Sequence, residues 1–296
     1  MKDQMYDLVV IGNPTFHNGH LSGPSVFSAT TAARLGIEHV AIISTVGSQV
    51  TDVFIQGVDG LDIPEYFIIE AKEKGVVQVQ TPNLGQETSI SCIPDKINIR
   101  DIPDEFLHTR AILLSPALQE ITAEFIEWIC NSTDALVYLD PQIRRLNSKG
   151  HLEIIRDFSV TEKTQSYLDI IKPNQLESEL ITGEADPFLA AELIVEWASE
   201  ACIITLGKNG SLVYDGEDFS IIPSYPIEEV DSMGAGAVYL AAFAIKAIDS
   251  NPLIDCGAYA SSVASIKVEH KWMDFFFQKT EINSRTTEIQ RLIETR

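Results

Sequence analysis

The sequence predicts an α/β protein: a doubly wound, mainly parallel sheet with helices on both faces and a small β lid. Three observations carry this. Short continuous apolar runs such as Tyr6–Gly12 (YDLVVIG) recur between helical patterns, and strands alternating with helices pack as a parallel sheet covered on both sides. Gly75–Cys92 instead alternates apolar and polar residues (VVQVQ, then TSISC) around Pro82-Asn83-Leu84-Gly85, as a hairpin with a loop would. Finally, Val230–Ile248 (VDSMGAGAVYLAAFAIKAI) passes from a polar turn through Gly234-Ala235-Gly236 into a helix apolar nearly all round.

The elements follow in order. Tyr6–Gly12 reads as a buried strand. Pro24–Leu35 reads as a helix, with Pro24 in its first turn, Ser22 offering a cap and Gly36 at its end. Val40–Thr45 is a second buried strand. The Gly75–Cys92 hairpin interrupts the alternation. Together with residues near 13–21 it gives a lid, from about 13–21 and 74–95, inserted in a single domain spanning 1–296. Strands then resume at Ala111–Ser115, Ala135–Asp140, Tyr167–Lys172 and Cys202–Leu206, with helices at Ile121–Cys130 and Pro187–Ser199 between them. Ser211–Tyr214 and Phe219–Ile222 form a further hairpin. Helices at Ala235–Ile248, Leu253–Val268 and Ile282–Glu294 finish the chain. In such a sheet ligands bind beyond the C-terminal strand ends.

At 296 residues the chain can bury a large core, and its 45% hydrophobic and 22% charged content is that of a globular protein. A net charge of −22 argues against a nucleic-acid partner, which needs stripes of Lys and Arg. It leaves room for a nucleotide held in a local pocket of N–H groups. The apolar run near the N-terminus is too short for a signal peptide, and no stretch reaches the roughly 20 apolar residues of a membrane span. Cys92, Cys130, Cys202 and Cys256 form no CxxC pair. They read as reduced, mostly buried thiols of a cytoplasmic protein.

Successive small residues ahead of a helix let backbone N–H groups converge on one point, to which the helix adds its positive end. That arrangement holds an anion, most often a phosphate. DSMGAGAVYLAAF resembles the C-terminal motif of the ribokinase-like (PfkB-type) sugar and nucleoside kinases, which read Asp-Thr-x-Gly-Ala-Gly-Asp there. Further matches follow in order. Ser22–Gly36 aligns with the family's Gly-Gly-x-x-x-Asn … Ala-Arg-Leu-Gly, and Asp140-Pro141-Gln142 with Arg144 with its Asp-Pro-Asn-x-Arg. Lys172-Pro173-Asn174 with Glu177 matches Lys-Pro-Asn-x-x-Glu, and Thr205 to Gly210 matches Thr-x-Gly-x-x-Gly.

The resemblance implies a ribokinase-like fold and an ATP- and Mg²⁺-dependent kinase acting on a hydroxyl of a sugar, cyclitol or nucleoside. It implies an anion hole from Gly234, Ala235, Gly236 and Asp231, with amides of Ala235, Gly236 and Ala237. Nucleotide contacts would come from Thr205, Gly207, Gly210 and Asn174. Glu177 would organise Mg²⁺ through water, and Asn13, Gly23, Phe27 and Arg144 would face the acceptor. A plainer reading accompanies each: Gly234–Gly236 as tight helix packing, Asn174 and Glu177 as a capping box, Thr205–Gly210 as a hairpin entry, and His17 as an ordinary loop histidine. Several acceptor-facing positions depart from the family. Its Asp beyond the first strand is missing from Asn13–His17, its sugar-binding Asn falls on Phe27, and its base falls on Ala237. Ala cannot accept a proton, and a positioned base contributes about 10²–10⁴-fold. Turnover is therefore expected to be slow or absent, and a nucleotide-binding pseudoenzyme with a regulatory or scaffolding role is the alternative. An exposed lid edge would suit pairing with a second copy.

Overall fold

The computed structural model describes residues 6–17, 20–71, 77–80, 89–90, 95–118, 120–142, 144–146, 152–154 and 168–296. The apolar run of the first strand, β1 (Tyr6–Ile11), is buried on both faces, and its alternation divides it between two cores. Leu8 and Val10 join one cluster, Val9 and Ile11 the other. Two short strands, β2 (Thr15–His17) and β3 (His20–Ser22), lead into helix α1 (Pro24–Arg34). Pro24 sits in its first turn, but the cap is Gly23 at φ 108 and not Ser22 as expected. His17, expected in a loop, lies in β2 opposite His20.

β4 (Val40–Val46) is fully buried, α2 (Thr51–Gly60) follows, and β5 (Glu65–Glu70) closes one edge of the sheet. β6 (Val77–Gln80) and β7 (Ser89–Ile90) pair antiparallel, as the hairpin pattern predicts, while the Pro82–Gly85 turn lies outside the described residues. With β2 and β3 they form a separate four-stranded sheet in the order β3-β2-β6-β7.

The alternation then resumes through β8 (Thr109–Leu114), α3 (Ala123–Ser132), β9 (Leu136–Leu139), the short pair β10 (Arg144–Leu146) and β11 (Leu152–Ile154), and β12 (Leu168–Ile171). α4 (Gln175–Thr182), α5 (Pro187–Ala198) and β13 (Ser199–Thr205) come next. A meander of β14 (Ser211–Tyr214) and β15 (Phe219–Ile222) leads to α6 (Ala235–Ala247), α7 (Leu253–Val268), α8 (Lys279–Gln290) and β16 (Glu294–Thr295).

The ten-stranded sheet runs β16-β15-β14-β13-β12-β9-β8-β1-β4-β5. β5 through β13 pair in parallel, and β14, β15 and β16 are antiparallel. From β1 the chain steps outward to β4 and β5, then crosses to β8 on the other side. β1 and β8 therefore flank the reversal of strand order, where the strand ends leave a crevice. α1, α6 and α7 pack in one core, with Ala237 through Ile245 buried along α6; α3 and α5 pack in the other. Among the described residues no helix is long and apolar enough to cross a membrane, and Cys130, Cys202 and Cys256 are free thiols.

Candidate active site

A cleft of about 1130 Å³ opens beyond the C-terminal strand ends. Asp140, Lys172 and Thr205 line it from the ends of β9, β12 and β13, Asn174 from the start of α4, Thr15 from the start of β2, and Gly234 to Ala237 from the start of α6. Gly23, Phe27, Glu177, Gly207 and Gly210 also reach it. Residues taken from distant parts of the sequence thus converge on one space.

Gly234 caps α6 at φ +79, and a Cβ built there would lie 2.5 Å from ring atoms of Phe27. Only glycine meets both demands. Phe27 is 1% exposed. Its ring floors the turn, so the aromatic side chain serves as the surface against which Gly234 bends. The following positions differ from the expectation of three converging amides. The Ala235 N–H donates to the Ser232 carbonyl at 3.1 Å, which leaves Gly236 and Ala237 as the helix positions whose N–H groups lack an intrahelical partner. At Gly236 a Cβ would stand 3.3 Å from Lys172 Nζ, so the absence of a side chain lets the lysine tip approach the helix start closely. Ala237 is 4% exposed and its carbonyl accepts from Ser28 Oγ.

Asp231 does not line the cleft; it shapes the turn from behind. Its Oδ1 accepts from the Met233 N–H at 2.9 Å and its Oδ2 from the Trp272 N–H at 2.8 Å. Lys267, 0% exposed, lies 3.3 Å from Oδ2 and donates to the carbonyls of Asp231 and His270. Burial alone would raise the Asp231 pKa, but the Met233 and Trp272 N–H groups and the Lys267 ammonium outweigh it, so the carboxyl sits below its ordinary value. Burial pulls the Lys267 pKa down, against the attraction of Asp231. Sequence reasoning missed Lys267, which lies at the end of α7, far along the chain from the glycines it supports.

On the other wall, Asn174 caps α4. Its Oδ1 accepts from the Glu177 N–H and Glu177 Oε2 accepts from the Asn174 N–H, both at 2.9 Å. The capping box expected from the spacing is present, and both residues also face the cleft. Asn174 bridges Thr205 in parallel, and the Thr205 N–H donates to the Pro173 carbonyl. Thr205, Gly207 and Gly210 form the turn between β13 and β14, where the Leu206 N–H reaches the Gly210 carbonyl.

One of the residues expected to face the acceptor lies elsewhere, and another cannot be placed by its side chain. Asn13 is buried and does not line the cleft. Its Nδ2 donates to the Asp95 carbonyl, its Oδ1 accepts from the Thr45 N–H, and its own N–H donates to Glu120. Arg144 begins β10, and its side chain lies outside the described residues. Glu120, also absent from the sequence reading, is buried beneath the cleft floor and accepts the N–H groups of Asn13, Ala117 and Leu118. Burial raises its pKa against those three donors.

Known proteins resemble this chain over most of its length. Cytidine kinase of Thermococcus kodakarensis is 25% identical over 283 residues, covering 92% of this chain and 99% of its own. Ribokinase of Haemophilus influenzae is 22% identical, covering 84% and 81%. Among solved structures, a ribokinase from Thermotoga maritima superposes with TM-score 0.76 at 20% identity over 95% of this chain and 99% of its own. A pyrophosphate-dependent kinase in the ribokinase family, complexed with a pyrophosphate analog and myo-inositol, gives TM-score 0.76 at 19% identity over 94% and 99%. These structures share the ribokinase-like fold. The model of pfkB family carbohydrate kinases matches residues 23–275, which carry the turn, the capped helix and the glycine loop described above, and the chain belongs to that family.

Proposed function

We propose that this chain is an ATP-dependent small-molecule kinase that transfers a phosphoryl group to a hydroxyl of a sugar, cyclitol or nucleoside, at a rate reduced by Ala237. One observation carries the reading: the N-terminus of α6 opens into the cleft with Lys172 Nζ beside Gly236. Phosphoryl transfer is mostly positioning and neutralisation of charge on the transferred oxygens. The amides of Gly236 and Ala237, the helix dipole and the Lys172 ammonium supply that neutralisation from one side.

Thr205, Gly207, Gly210 and Asn174 would contact the nucleotide, and the apolar strip of Tyr225, Ile227 and Val268 in the same cleft would receive its base. The donor set suits Mg²⁺ held chiefly by phosphate oxygens and water, because among the described residues no three His, Cys, Asp or Glu side chains gather as a metal site. Glu177 would hold that hydrated ion, which when bound supplies further charge neutralisation. Gly23 and Phe27 bound the acceptor side, under a lid formed by the small sheet.

Ala237 favours a second reading, in which the chain binds nucleotide without turnover and serves a regulatory or scaffolding role. The test is a thermal melt with ATP–Mg²⁺, then with added polyols and nucleosides, followed by assay of the Ala237→Asp variant. Stabilisation by ATP–Mg²⁺ supports both readings. A further rise with an acceptor, and phosphorylation by the variant, supports the kinase. No phosphorylation by the variant across the panel leaves the binding protein.

A further inference from the structure

Asp140, the buried partner of Lys172, has no part in the phosphate contacts of Lys172 and the α6 amides. Asp140 follows β9 and Lys172 follows β12, and those strands run parallel side by side, so their last residues emerge together at the cleft. The two side chains are 2% and 3% exposed. Nζ lies 3.5 Å from Oδ1, well beyond the roughly 2.7–2.9 Å of a charge-assisted hydrogen bond. Oδ1 has no hydrogen-bond partner among the described residues. A buried carboxylate oxygen without a donor is costly, and such an orphan marks a place that another molecule completes. The other carboxylates lining the cleft are Glu177, which caps α4, and Glu229, which is exposed on the loop before α6. Lys172 Nζ lies beside the α6 N-terminus, 3.3 Å from where a Cβ at Gly236 would stand. A cation, a carboxylate and helix amides therefore surround one point, and Ala237 lines the same cleft.

We propose that Asp140 is the catalytic base of this chain, with Lys172 holding the transferred phosphoryl group beside it. The proposal rests on the kinase reading. The acceptor hydroxyl oxygen attacks the γ-phosphorus of ATP. The new O–P bond forms as the bond from that phosphorus to the β,γ-bridging oxygen breaks, and its electron pair leaves with ADP. The hydroxyl proton passes to the Asp140 carboxylate, and from there to water once the product has gone.

Transfer of labelled γ-phosphate to a panel of sugars, cyclitols and nucleosides, with calorimetric ATP–Mg²⁺ binding in parallel, tests this on the unaltered chain, Asp140→Asn, Asp140→Glu, Ala237→Asp and the Ala237→Asp/Asp140→Asn pair. The unaltered chain should transfer phosphate. Asp140→Asn should lose about 10²–10⁴-fold in kcat with the ATP dissociation constant changed less than about threefold. The paired variant should recover activity, because the carboxylate at 237 takes over. Asp140→Glu keeps the charge but moves it by one methylene; it should lower kcat without weakening ATP binding, and it answers the question should Asp140→Asn fold poorly. Unchanged kcat in either Asp140 variant overturns the proposal. So does an unaltered chain that is inactive while Ala237→Asp is active, an outcome that leaves the kinase reading standing. Failure of every folded variant to bind ATP overturns both.

Discussion

The N-terminus of α6 lies between two buried lysines, and they are not equivalent. Lys267, behind the turn, donates to two carbonyls and pairs with a carboxylate that is itself held by two N–H groups. Lys172, in front, faces the cleft with a loosely placed carboxylate at 3.5 Å. A saturated cation belongs to the scaffold, because its donors are committed to two backbone carbonyls and a fixed carboxylate. A loosely partnered one is poised for a ligand. The same distinction separates Asp231, which shapes the loop, from Asp140, which keeps an orphaned oxygen.

Changes to the turn itself should have the largest effect. Gly234→Ala combines a left-handed φ with a clash against Phe27, and should cost about 4 kcal/mol in denaturant unfolding. Phe27→Ala opens a cavity of its own. The double variant should nevertheless be less destabilised than the sum, because the clash is gone; strict additivity would break the claim that the ring floors the turn.

The two lysines are separated by paired substitutions. Lys267→Met should lower stability by about 2 kcal/mol, below the roughly 3–5 kcal/mol of a fully buried pair because Asp231 is partly exposed. Lys172→Met should instead weaken ATP–Mg²⁺ binding about tenfold by calorimetry, the value of one charge-assisted contact, with a smaller change in melting. The reverse order, with Lys172 dominating stability and Lys267 sparing it, would contradict the comparison.

Asn174→Ala should cost about 1 kcal/mol through the lost cap. The smallest effect is pH-dependent. The Asp231 pKa is lowered in the folded chain, so its stabilising contribution is present above the ordinary Asp value near 3.9 and is lost as pH falls through the folded value. Acid melts of Asp231→Asn should show a shallower loss over that window; an identical slope would deny Asp231 its place in the turn.

Much of this was legible in the chain because the signals are local. The capping box needs only Asn174 and Glu177 three residues apart, and the parallel core announces itself in continuous runs such as β1 and β4. What was hidden depends on distance in sequence. Nothing near Gly234 indicates that Phe27 lies under it, or that Lys267 supports Asp231. The expected third amide failed because Ser232, two residues before the helix cap, takes the Ala235 N–H. Ser22 was read as the α1 cap on side-chain preference, but the backbone there needs the positive φ that Gly23 provides. α2 was overlooked because Gly57 and Gly60 weaken its helical pattern; Gly57 stands where a Cβ would come within 2.8 Å of Leu21. Glu120 gave no signal at all, since its partners are the backbone N–H groups of loops.

The most direct test is to follow the backbone amide resonances of residues 234–238 while titrating a non-hydrolysable ATP analogue with Mg²⁺. The resonances of Gly236 and Ala237 should move together and saturate, and that of Ala235, already bonded to Ser232, should move less. Unmoved Gly236 and Ala237 at saturating nucleotide would mean that the start of α6 does not hold the phosphates.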